Sequence, residues 1–179
     1  MKIMVASDIH GSAYYCEKLV DEYKNSGAGR LLLLGDILYH GPRNDLPKDY
    51  DPKRVAELLN SISNDILCVR GNCDTEVDDM VLDFPVLAEY AVIFDADRAI
   101  FATHGHHYNI DCLPNLKTGD ILLYGHTHIP LCTAKKGINI MNPGSVSIPK
   151  EDSVNSYMII ENGVYTWHDF DGNIFMTVE

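Results

Sequence analysis

Five short clusters bring together side chains that can ligate a metal or move a proton: "SDIHG" with Asp8 and His10, "LGDILYHGPR" with Asp36, "RGNCD" with Asn72, "THGHHY" with His104, and "YGHTHIP" with His126 and His128. Carboxylates, imidazoles and an amide oxygen, without an obvious thiolate, suit manganese, iron, cobalt or zinc. In D-x-H and H-x-H, alternate residues of an extended segment point the same way, so both side chains reach one cation or two adjacent ones. Gly11, Gly35, Gly71, Gly105 and Gly125 stand beside these clusters and let the backbone turn sharply. A lone histidine is more often surface or core filler than a ligand. Five clusters in series, each after an apolar run, are a specific signal.

The elements that must position them can be read from periodicity. "KIMVAS" and "RLLLLG" have strand character. Between them "SAYYCEKLVDEYKNSGAG" predicts a helix with Ser12 as N-cap, Tyr15, Leu19 and Tyr23 as apolar positions and Gly27 and Gly29 as stop signals. A second helix over "DPKRVAELLNSISN" has Asp51 as cap, Pro52 at its first position and Val55, Leu58, Leu59 and Ile62 on one face. "DILCVRGN" follows as a third strand. Beyond about residue 85 the texture changes to short β segments: a hairpin around Ala96-Asp97, strands in "DILLYGHTH" and "GINIMNPGS", and hairpins at Asn162-Gly163 and Asp171-Gly172. The C-terminal ends of α/β strands converge on one edge, where ligands are usually bound, and that edge would gather the five clusters.

At 179 residues the chain fits one domain spanning 1–179, with no linker or repeat to divide it. The N-terminus "MKIMVASDIHG" lacks a secretory signal and no apolar run reaches the length of a membrane span, so no membrane partner and a cytoplasmic location are expected. Five scattered cysteines without a paired spacing argue against a disulfide framework and a structural zinc site. A net charge of −12 argues against a nucleic-acid polymer as partner. It leaves a small anionic substrate open, because bound cations reverse the local sign of an acidic pocket.

The series "SDIHG", "LGD", "GNCD", "THGH" and "GHTH" resembles the calcineurin-like metallophosphoesterases, whose pattern is D-x-H, G-D, G-N-H-[DE], H-G and G-H-x-H. "GDILYHGPRN", "RGNCDTEVD" and "NPGSVSIPK" extend the resemblance to the YfcE-type branch of small bacterial phosphodiesterases, over essentially the whole chain. The resemblance implies an α/β fold, a four-layer sandwich of two mixed β-sheets flanked by helices. It implies two divalent metal ions, manganese favoured over iron, cobalt or zinc. Asp8, His10 and His128 would hold the first metal, Asn72, His104 and His126 the second, and Asp36 would bridge them. Two such cations roughly 3.5–4 Å apart lower the pKa of a shared water and clamp an in-line displacement at phosphorus. A metal-bridging hydroxide would then attack a small phosphodiester. A homo-oligomer is possible on the same resemblance.

The departure from the family pattern is Cys73, which stands where the superfamily has the histidine that stabilises phosphate or protonates the leaving group. A thiol with a reference pKa of about 8.5 is a weaker donor than an imidazolium, so substrates with good leaving groups are expected. His40 and His106, beside the ligand clusters, are candidates to face the substrate, as is His107; their bland alternative is loop packing. Arg43 in "GPR" could pair bidentately with a phosphate. Asp74 is expected to orient a neighbour or cap a helix, His168 to be structural, and Asn142–Pro149 to line the pocket rim or form a tight turn. The leading expectation is a metal-dependent phosphodiesterase. The alternatives are a phosphomonoesterase with the same site and a protein-binding scaffold of the same fold, as in the retromer coat; retention of every ligand argues against the scaffold.

Overall fold

The computed structural model describes residues 2–95 and 97–179, with Met1 and Ala96 outside it. Two mixed sheets pack face to face. The first contains β1 (Lys2–Ala6), β2 (Arg30–Leu33), β3 (Ile66–Cys68), β9 (Ser156–Glu161), β10 (Val164–Asp169) and β11 (Ile174–Val178), in the order β11-β10-β9-β1-β2-β3. The second contains β4 (Tyr90–Asp95), β5 (Arg98–Thr103), β6 (Ile121–Tyr124), β7 (Pro130–Lys135) and β8 (Ile138–Pro143), in the order β4-β5-β6-β8-β7. β1, β2 and β3 run parallel, as do β5, β6 and β8. The functional clusters therefore leave β1, β2, β3, β5 and β6 at like ends of their sheets.

The apolar runs are continuous because these strands are covered on both faces. Along β1, Ile3 and Val5 face the second sheet while Met4 and Ala6 face the helices; Leu32 of β2 and Leu34 just beyond it face inward, and Leu31 and Leu33 outward. Helix α1 (Ala13–Ser26) and helix α2 (Pro52–Asn60) cover that outer face with Cys16, Leu19, Val20, Val55 and Leu59. The cap signals act as expected: Ser12 Oγ accepts from Tyr15 N, Gly27 ends α1 at φ 71°, and Asp51 caps α2 with Pro52 in its first turn. A short helix, α3 (Glu76–Asp79), follows the third cluster.

In the second sheet Ile121 and Leu123 of β6 face the first sheet, and Leu122 and Tyr124 face outward. No helix covers that outer face among the described residues; Ile110, Leu113 and Leu116 of the irregular segment after β5 form the fourth layer. Buried hydrogen bonds tie the sheets together: Trp167 Nε1 to the Asn142 carbonyl at 2.6 Å, the Tyr165 hydroxyl to Asp95 Oδ2 at 2.9 Å, and Ser156 Oγ to the Pro143 carbonyl at 2.7 Å. The hairpins at Asn162-Gly163 and Asp171-Gly172 join β9 to β10 and β10 to β11. β4 and β5 pair antiparallel around the expected turn, whose Ala96 lies outside the described residues. Among the described residues no helix is long and apolar enough to cross a membrane.

Candidate metal centre

The loops after β1 and β2 are zipped together by backbone bonds from Asp8 N to Gly35 O (3.1 Å), His10 N to Asp36 O (2.9 Å) and Gly11 N to Ile37 O (2.8 Å). Asp74 completes this frame from the loop after β3: its carboxylate accepts from the backbone N–H of Asp36 (2.8 Å), Ile37 (2.9 Å) and Gly71 (2.7 Å). It orients the second and third clusters; the cap of α3 is Thr75. The two loops touch at glycine. A Cβ on Gly35 would overlap the Gly71 backbone, and one on Gly71 would overlap the Asp36 carboxylate.

Within this frame, all seven expected side chains converge. Asp8 Oδ1 lies 3.6 Å from His10 Nε2 and 3.3 Å from His128 Nε2, and the two imidazole nitrogens are 3.2 Å apart. His104 Nε2 lies 3.1 Å from both Asn72 Oδ1 and His126 Nδ1. Asp36 Oδ2 stands between the groups, 3.7 Å from His10 Nε2 and 3.5 Å from His104 Nε2. Its other oxygen accepts from Cys73 N at 2.8 Å, which fixes the carboxylate's rotation.

The hydrogen bonds around the rings decide which nitrogen is free. Nδ1 of His10, His104 and His128 each faces a backbone carbonyl, of Tyr39 (2.8 Å), Leu34 (2.7 Å) and Ile148 (2.6 Å). A carbonyl only accepts, so each Nδ1 carries the proton and each neutral ring directs an Nε2 lone pair into the cluster. The 3.2 Å approach of His10 and His128 is then two lone pairs facing each other. Asp8 Oδ1 is buried without a hydrogen-bond partner, while Oδ2 accepts from Ser7 Oγ (2.6 Å) and His126 N (2.9 Å). Convergent acceptors with no donor among them call for a cation, and the oxygen and nitrogen set fits a borderline divalent metal.

Electrostatics agree. Burial disfavours charge on Asp8, but the close imidazoles of His10, His128 and His104 outweigh it and hold its carboxyl well below the usual range. Burial likewise opposes a proton on His10, and the Asp8 and Asp36 carboxylates override it and raise that imidazole. The field that draws a proton onto His10 is the field that draws a metal ion in its place. Burial and the nearby His104 lower His126.

The backbone is unusual at the same positions. Asp8 (φ 60°), His10 (50°), Asp36 (56°), His126 (65°) and His128 (62°) all adopt the left-handed region. Aspartate and histidine tolerate it better than most residues, yet each such residue stores strain of about 1 kcal/mol or more and persists where its surroundings overdetermine it. Here Ser145 Oγ and Ser147 Oγ donate to the Asp8 carbonyl, and Asn142 Nδ2 donates to the Gly125 carbonyl. The segment Asn142–Pro149 thus braces the cluster from beneath.

A cavity of about 400 Å³ opens onto Asp36, Asn72, His126 and His128. Arg43 and Cys73 line it, as expected, and so does Lys150, which the sequence reading missed although it closes the quoted "NPGSVSIPK". Burial and the Asp36 carboxylate push the Cys73 thiol far up, so it stays protonated. His40 and His106 are not among the lining residues. His40 is sandwiched between Tyr39 and Tyr50, with ring centroids 4.8 and 5.2 Å away. His106 packs on His104 (5.4 Å), His107 (4.0 Å) and His126 (6.4 Å), and burial together with those imidazoles lowers it to about 4. His168 lies on β10, stacked on Tyr157 and remote from the cluster in sequence and sheet position.

A two-sheet sandwich with aspartates, histidines and an asparagine gathered at strand ends defines a metal-dependent phosphoesterase, and the comparison with known families agrees. The calcineurin-like phosphoesterase superfamily domain matches residues 1–163, and the chain belongs to that superfamily as a hydrolase of the metallophosphoesterase class. Phosphodiesterase YfcE of Escherichia coli strain K12 is 47% identical over 164 residues, covering 92% of this chain and 89% of that protein. The solved structure of the Escherichia coli phosphoesterase YfcE matches with a TM-score of 0.96 at 44% identity, covering 99% of this chain and 98% of that one. Vps29 of Chaetomium thermophilum matches with a TM-score of 0.64 at 18% identity over 99% and 97% of the two chains, a likeness of fold alone.

Proposed function

We propose that the protein is a phosphodiesterase for small phosphodiesters, working through a dinuclear centre. Asp8, His10 and His128 would hold one cation, Asn72, His104 and His126 the other, with Asp36 shared between them. The observation that carries this reading is the convergence of seven acceptor side chains at one sheet edge, with His10 and His128 against the buried, unpartnered Asp8 Oδ1, Asn72 and His126 against His104, and Asp36 between the two groups. This donor set accommodates manganese, iron, cobalt or zinc, and the family resemblance favours manganese. Bound cations of this kind supply Lewis acidity toward the phosphoryl oxygens and make water nucleophilic near neutral pH.

The chain's own residues bind and orient the ester. Arg43 and Lys150 bring positive charge to a cavity of a protein whose net charge is −12, and so favour a phosphate there over other regions of the surface. Arg43 offers the planar fork that matches two phosphate oxygens; Lys150 offers a point charge. The neutral Cys73 thiol beside them adds no negative charge and is a poor acid for an alkoxide leaving group. The weak acid at position 73 favours a diester with a good leaving group. A cavity of about 400 Å³ suits a small substrate, not a polymer.

The test is to strip the protein of metal, resupply manganese, and measure hydrolysis of a chromogenic aryl phosphodiester and the matching monoester. Diester cleavage well above monoester cleavage is expected. No cleavage of either at full metal occupancy overturns the enzymatic reading, and monoester cleavage in large excess overturns the substrate class.

A further inference from the structure

We infer that Glu89, His106 and His107 bind a further divalent cation, outside the seven-residue cluster. Each of these side chains offers one donor atom, and the three atoms lie within 4.8 Å of one another. They come from two segments that the sheet holds side by side. The β4–β5 register pairs Tyr90 with Thr103, so Glu89, just before β4, lies beside the chain as it leaves β5 toward the two histidines. Thr103 Oγ1 donates to the Glu89 carbonyl at 3.3 Å, and Asn109 Nδ2 donates to the Gly105 carbonyl at 2.9 Å, which fixes both backbones close to the triad.

A second observation points to a ligand. His106 Nδ1 is buried and has no hydrogen-bond partner, a state that costs free energy unless something binds there. The His106 and His107 ring centroids stand only 4.0 Å apart, at an interplanar angle of 44°. Two imidazoles held together beside a carboxylate form the two-histidine, one-carboxylate set that takes zinc, cobalt or ferrous iron. Glu89 and His107 are exposed, so small rotations can bring the donors to the roughly 2.0–2.2 Å bonds such an ion makes, with water completing its shell. The site would accordingly exchange its cation with solvent more readily than the buried cluster around Asp8.

The site does not depend on the phosphodiesterase reading, and its test counts metal. Full-length wild type and an E89Q/H107Q variant, both stripped of metal, are equilibrated with low-micromolar zinc by dialysis, and bound zinc per chain is measured by mass spectrometry. The expected result is one zinc fewer in the variant, with aryl phosphodiester turnover after manganese loading within about twofold of wild type. E89Q alone is expected to weaken the same zinc without altering the others. Equal zinc content in wild type and the double variant overturns the inference, as does loss of more than one zinc together with turnover.

Discussion

The Cys73 thiol stays protonated because it is half-buried beside the Asp36 carboxylate, and a thiol so placed can contribute neither a nucleophile nor a strong acid. General acid catalysis contributes roughly 10²- to 10⁴-fold where a matched donor is present. Cys73→His is therefore expected to raise kcat/KM for a dialkyl phosphodiester, which must expel an alkoxide, by about tenfold or more relative to a bis-aryl diester. An unchanged ratio would remove Cys73 as a determinant of leaving-group choice. Asp74 acts through other residues. Its two oxygens hold the N–H groups of Asp36, Ile37 and Gly71, so Asp74→Asn turns an amide donor toward at least one of those donors. Leaving a buried donor unpaired costs about 1–3 kcal/mol, and disturbing groups that orient ligands typically costs about 10- to 100-fold in metal affinity. Both losses are expected, read by thermal denaturation and by manganese titration; a variant with normal metal affinity would show that the loop frame does not depend on Asp74.

At the scale of elements, the sequence was most legible where one local rule acted. Ser12, Asp51, Pro52 and Gly27 set the limits of α1 and α2, and Asn162-Gly163 and Asp171-Gly172 set the hairpins, because caps and two-residue turns need only their own neighbours. The seven site residues were legible as types at strand ends. The left-handed backbones of five of them were not, nor were the carbonyl partners of the His10, His104 and His128 rings, which are backbone atoms of Tyr39, Leu34 and Ile148 and carry no side-chain signal. The strand β7 escaped notice because "PLCTAK" begins with proline and sits on an edge, and α3 because its capping box, Thr75 with Asp78, governs a single turn. His168 on β10 gives an element-level prediction. Burial lowers this imidazole below its ordinary value, despite Glu22 and Asp169 nearby. The unfolded chain, with a histidine pKa of about 6.5, then binds the proton more readily than the folded one, so stability rises with pH through this window. It is fully present above about pH 6.5 and is lost as pH falls through the depressed folded value. With manganese saturating, His168→Gln is expected to lower Tm near neutrality, because the Tyr157 stack is lost, but to flatten its fall between pH 7 and 5. Parallel pH profiles for the two proteins would exclude His168 as a source of the slope.

Across the whole molecule, the cluster is the place where candidate ligands from the two sheets meet. Asp8, His10, Asp36 and Asn72 come from the ends of β1, β2 and β3, whereas His104, His126 and His128 come from the ends of β5 and β6 in the opposite sheet. Elsewhere the sheets meet through apolar packing and through the Trp167, Tyr165 and Ser156 hydrogen bonds. Cations held by these candidate ligands from both sheets would therefore act as cross-links that the unfolded chain cannot reproduce, and would offset the strain of five left-handed backbones in the cluster. Saturation at about a hundred times Kd adds about 2.7 kcal/mol. For a chain of this size each kcal/mol moves Tm by about 2–4 °C. Removing metal with a chelator is expected to lower Tm by roughly 5–10 °C. Hydrogen exchange should rise at the loops following β1, β2, β3, β5 and β6 while the β9–β10–β11 meander keeps its protection, because no candidate ligand comes from those strands. Manganese should restore both signals. An unchanged Tm and exchange pattern after complete metal removal would mean that packing alone joins the sheets at this edge.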